Sequence, residues 1–158
     1  MTASTRDSVE KFLARHELDP DDVACLKERL GRLMRVADRI APVFFAALFK
    51  RMPHIEKMFN GDEDNQIVMY NSLLWSAAAC LNDPDEAHVR LAEIGDSHAK
   101  IGISSLQLRT GEEAFLDSLS RMLPKAEFRE RQELWKQIYR IVVDAMQPRF
   151  TMAEGDPC

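Results

Sequence analysis

The 158-residue sequence predicts an all-α domain, and three observations carry that expectation. Glycine (6) and proline (7) are scarce while Ala, Leu, Glu, Lys and Arg are abundant, a balance that suits helices better than a sandwich, a barrel or a parallel sheet. Apolar residues recur at helical spacings of three and four. The breaks between these runs fall at Asp-Pro, Met-Pro, Asn-Gly and Asn-Asp-Pro, which start or stop helices. With 46% apolar and 30% charged residues, the chain is long enough for one packed domain and too short for two.

Residues 5–16 place Val9, Phe12 and Leu13 on one face, predicting a short amphipathic helix, marginal by itself, in an extension spanning residues 1–17. The main body is expected over 18–148. There Asp19 can cap and Pro20 can occupy the first turn of a helix over 20–35, with Val23, Leu26, Leu30, Leu33 and Met34 on one face. Residues 37–52 are almost uniformly apolar between charged ends, as in a helix buried between others; Pro42 should lie near its start or kink it. Met52-Pro53 ends this helix, and residues 54–59 have room only for a helical turn before Asn60-Gly61, which puts Phe59 at a corner. A helix over 64–81 carries Met69, Leu73 and Ala77 on one stripe. After the reset at Asp83-Pro84, a helix over 86–100 leads Leu91, Ile94, His98 and Ile101 along one face. Helices over 105–123 and 126–147, parted by Pro124, supply Phe115, Leu116, Leu119, Trp135, Ile138 and Val142, and residues 149–158 should fray.

Net charge of -5 and the lack of a basic run interleaved with aromatics argue against nucleic acid. No apolar run approaches the roughly 20 residues that span a bilayer, and the charged start MTASTRDSVEKF is unlike a signal peptide. Three widely spaced cysteines form neither a disulfide framework nor a CxxC metal site, so a reducing, cytoplasmic setting is expected. GxSxG, HExxH, phosphate-loop and dinucleotide signatures are all missing. Cys25 and Cys80 read as small buried hydrophobes; His16, His54 and His88, beside charged residues, read as surface groups. His98 stands apart. On an apolar helical face its imidazole must be desolvated at a cost of about 1–3 kcal/mol unless something bonds it. A backbone carbonyl and a metal are both open as partners.

Residues 18–60 contain a phenylalanine pair at 44 and 45, Phe49, Pro53 and Phe59; residues 94–103 read IGDSHAKIGI, 110–113 read TGEE, and Trp135 and Tyr139 follow. In that order they resemble the globins of bacteria, particularly single-domain globins and the haem domain of flavohaemoglobins, over about residues 18–147. The resemblance implies a globin fold, a three-on-three helical sandwich, here with a short extra N-terminal helix. It also implies haem b, with His98 on the iron. A neutral His98 would need an acceptor for its other ring nitrogen, for which Ser97 or a carbonyl near Ile94 could serve. Phe59 would pack on the porphyrin and exclude water, and Ile103 and Leu108 would contribute to the same pocket.

The opposite face departs from the bacterial pattern. Phe45 stands where many of those globins carry a tyrosine. Either Asn65 with Met69, or Gln66 with Tyr70 one residue on, should face the ligand, so the pocket is expected to be mostly apolar with one weak donor. Met69 as a sixth iron ligand is the minor alternative to Met69 as core. Leu108 replaces a family tyrosine, and the acidic residue of the last helix falls at Phe150, which argues against a strong proximal hydrogen-bond network. Flavin and nicotinamide domains are missing from the sequence. The resemblance therefore implies a binder of oxygen, nitric oxide or carbon monoxide, for transport or sensing. A nitric oxide dioxygenase working with a separate reductase, with peroxidase activity on the side, is the alternative, and a homodimer is an open state of assembly.

Overall fold

The structure is a computed structural model that describes the backbone of residues 2–154 and the side chains of 2–147. The described residues form helices and no strands: α1 (Ala3–Arg15), α2 (Pro20–Arg35), α3 (Ala37–Arg51), α4 (Pro53–Glu56), α5 (Glu63–Asn82), α6 (Pro84–Lys100), α7 (Ser105–Met122) and α8 (Lys125–Glu154). No described helix is long and apolar enough to cross a membrane.

Local chemistry sets most boundaries. Asp19 accepts from the Asp21 amide at 2.8 Å with Pro20 in the first turn of α2, and Asp83 accepts from the Glu86 amide at 3.3 Å ahead of Pro84 in α6. Asp62 does the same for α5 through the Asn65 amide at 3.0 Å. Pro42 lies inside α3, where it removes one helical donor close to the helix start.

Two layers result. One holds α2, α5 and α6, and the other α3, α7 and α8; α6 on α8 and α5 on α3 join them. The core runs between, with Trp135, Tyr70, Phe115, Leu26, Leu30, Leu74 and Leu119 all fully buried. Burying side chains of this size contributes about 1.5–3 kcal/mol each. α1 buries Phe12 alone, touching α6 through Ser8 and Asp85 at 2.6 Å. The closest approach joins α6 to α8: a Cβ on Gly95 would run into the Met146 backbone carbonyl.

Three expectations need correction. The segment expected as one helix from 126 is broken at Arg131 (φ -114°, ψ 16°), where neither Gly nor Pro stands and the arginine Nε is buried without a partner. His16 is half-buried instead of on the surface, with its ring 4.6 Å from that of Phe12; burial, then the charge of Arg15, lowers its pKa. Cys25 is only partly buried, whereas Cys80 is buried and its thiol is pushed up to about 11 by desolvation. The backbone is helical to Glu154; the side chain of Phe150 and the residues from 155 on lie outside those described.

Candidate functional site

Between the layers lies a cavity of about 310 Å³ whose walls come from α3, α5, α6, α7 and α8 and from the corner after α4. Of the residues singled out in the sequence, Phe45, Phe59, Asn65, Met69, His98, Ile103 and Leu108 line it. Gln66 does not. One residue along a helix turns the side chain by about 100°, and the face of α5 that meets the cavity carries Asn65, Met69, Ser72, Leu73 and Ser76. The two alternatives for this helix also do not separate cleanly, because Tyr70 lines the cavity alongside Asn65 and Met69.

His98 lies on the last turn of α6, on the stripe that leads Leu91, Ile94 and Ile101 into the same cavity. Its Nδ1 lies 2.8 Å from the carbonyl of Ile94, one turn earlier. A carbonyl can only accept, so Nδ1 carries the proton and the lone pair of the neutral ring sits on Nε2. Ser97, the other acceptor expected, donates instead to the Glu93 carbonyl at 3.1 Å. Among the described residues no cluster of three His, Cys, Asp or Glu side chains could hold a bare metal ion. The donor set is a single imidazole, which suits a metal whose remaining ligands come from a prosthetic group.

The wall facing α6 is aromatic. Phe45 and Phe59 have ring centroids 4.9 Å apart, Phe49 lies 5.5 Å from Phe59, and Phe44 meets Phe45 edge-on at 5.0 Å. Phe59 reaches this cluster because α4 and the turn at Asn60 (φ 49°) and Gly61 (φ 72°) fold the corner inward. Both tyrosines of the chain also line the cavity, and both turn their hydroxyls into α7. Tyr139 donates to the Leu108 carbonyl at 2.5 Å, and the room for that hydroxyl is the missing Cβ of Gly111. Tyr70 lies 3.1 Å from Ser118, whose own hydroxyl donates to the Phe115 carbonyl at 2.6 Å, so Tyr70 is the donor of the pair. Burial raises the pKa of both phenols. No local signal marks this: two tyrosines on apolar stripes are ordinary core residues until their acceptors on another helix are known.

His54 and His88 are exposed as expected, but His54 has a specific partner in Gln107. The residues fit a haem: one imidazole with its tautomer fixed, an apolar cavity on that side of the ring, and an aromatic wall opposite. No curated protein and no solved structure matches the chain. The family model described as Globin matches residues 43–146, from within α3 to near the end of the described side chains, and contains the cavity. The all-α sandwich and this match together show that the chain belongs to the globin family.

Proposed function

We propose that this globin holds haem b through His98 and binds a diatomic gas reversibly, oxygen foremost, with nitric oxide and carbon monoxide as further ligands. The observation that carries the reading is the His98 Nδ1 contact with the Ile94 carbonyl at 2.8 Å within an apolar cavity. When bound, haem supplies an iron with a coordination position at which such a gas can bond. The protein supplies the rest. His98 would anchor the group through Nε2, and its bond to Ile94 holds the ring in orientation and raises its basicity. Phe45, Phe49 and Phe59 exclude water from the opposite side. Neither tyrosine has its hydroxyl proton to offer to a ligand, so Asn65 is the amide donor on the α5 stripe, and Met69 acts as apolar filling.

The same reading takes residues 18–148 as the globin unit, 1–17 as an added N-terminal extension, and the protein as a cytoplasmic, single-domain globin of bacterial type. It favours gas binding over nitric oxide dioxygenation, because no polar donor stands at Phe45 and Leu108 offers no side-chain hydrogen bond. The test is a set of absorption spectra of the purified protein, oxidised, reduced, and reduced with carbon monoxide. One haem per chain, a five-coordinate ferrous form and a carbon monoxide complex are expected; a haem-free protein from haem-replete cells overturns the reading. Mixing the oxygenated protein with nitric oxide and a reductase separates the alternatives: one stoichiometric burst marks a binder, sustained turnover an enzyme.

A further inference from the structure

We propose that His54 is a positioning residue for this pocket, acting through Gln107 as a latch that only a neutral imidazole closes. The polarity of the contact carries the inference. Gln107 closes a capping box at the start of α7: its Oε1 accepts from the Ser104 backbone N–H at 2.8 Å, and its own backbone N–H donates to the Ser104 hydroxyl at 3.1 Å. Turning the side-chain amide over would set its NH₂ against the Ser104 N–H, donor against donor, so the orientation is fixed. Nε2 of Gln107, which can only donate, therefore faces Nε2 of His54 at 2.7 Å. That ring nitrogen must be the unprotonated one. A proton added there turns the contact into two opposed N–H groups, and the latch opens.

The two ends of the latch belong to different elements, α7 and α4. Gln107 lines the cavity, and just before its cap Ile103 donates to the His98 carbonyl at 3.0 Å, which ties this corner to the helix end bearing His98. His54 follows Pro53 in α4, which leads into the corner where the Phe59 amide donates to the Glu56 carbonyl at 3.1 Å. The latch thus ties the corner that holds Phe59 to the corner that follows His98. The charged groups nearest the latch in sequence on the packed elements are Lys50 and Arg51 of α3, Glu56 and neighbouring Lys57 on the α4 side, and Arg109, Glu112, Glu113 and Asp117 of α7. Glu113 pairs with Arg51 at 2.9 Å and Glu112 with Arg140 at 2.6 Å. The direction of the hydrogen bond decides what a proton on His54 does to the latch.

The effect on gas binding rests on the haem reading above; the latch itself does not, and the test keeps the two apart. Carbon monoxide dissociation from the full-length haem protein is followed from about pH 8 to about pH 5, the interval in which imidazoles change charge, beside the Gln107 side-chain amide resonances of the haem-free protein. Wild type should show a step of about two- to tenfold, the range that one hydrogen bond supports, and the amide signals should move with it. His54→Phe should flatten both. Gln107→Glu keeps an oxygen for the Ser104 amide and offers the other to a protonated His54, so its latch closes in acid and the sign of the pH dependence reverses. Apart from His54 and the carboxylate that Gln107→Glu introduces, the three proteins share the same ionisable groups. The same pH dependence in all three, with amide signals indifferent to His54, overturns the latch while leaving haem binding intact. Amide signals that follow His54 in a chain that takes up no haem uphold the latch and overturn the haem reading instead.

Discussion

The α6 wall of the cavity and the wall built from α3, α5 and the corner after α4 are specified in different ways. On α6 a single hydrogen bond, His98 to the Ile94 carbonyl, decides which ring nitrogen can bind a metal. On the other wall Phe45 and Phe59, with Phe49 packed behind them, touch ring to ring and no such direction is imposed. Replacing a directional group should therefore abolish a property, whereas replacing a shape-filling group should only grade it. The hydroxyls that could have blurred this contrast, those of Tyr70 and Tyr139, are spent on α7.

The largest effect is expected at His98. His98→Ala should lower haem retention by at least about 100-fold, read from the haem-to-protein absorbance ratio after gel filtration; unchanged retention would make the two walls equivalent. Gly95→Ala should come next, because its methyl meets backbone and not a pliable side chain. A loss of about 1–3 kcal/mol in thermal or denaturant unfolding is expected, and an unaffected midpoint would mean α6 can lift from α8 at no cost. Phe45→Tyr brings direction to the shape-filling wall and should slow oxygen dissociation by about three- to tenfold, the worth of one hydrogen bond to a neutral partner, measured by stopped-flow. The smallest effect belongs to Asn65. Asn65→Leu should change oxygen affinity by no more than about threefold, and Gln66→Leu should leave it unchanged, since only Asn65 faces the cavity.

Helix positions were legible because their signals are local. Asp19-Pro20, Asp83-Pro84, Met52-Pro53 and Asn60-Gly61 act within one turn of where they stand, and caps and turns formed at each. The break at Arg131 was not legible, since no Gly or Pro marks it. At the site, His98 could be found from its apolar stripe, and the carbonyl of Ile94 is a partner of its own helix, four residues away. Long-range partners could not be found in this way: Tyr70 with Ser118 spans 48 positions and His54 with Gln107 spans 53. The choice between Asn65 and Gln66 failed for a related reason. Both sit among polar residues at the start of α5, where hydrophobic periodicity is weak, and only the packing of α5 against α3 and α6 sets the rotation.

The missing side chain at position 95 also bears on mechanics. It lets the main chains of α6 and α8 ride on each other with no cushion of side chains between them, three residues before the imidazole. Every other residue of α6 carries a side chain, so the two rods fit in one register only, and a slide by a single residue would drive a Cβ into the Met146 carbonyl. Position 95 thus acts as a key between the two helices, three residues from the imidazole.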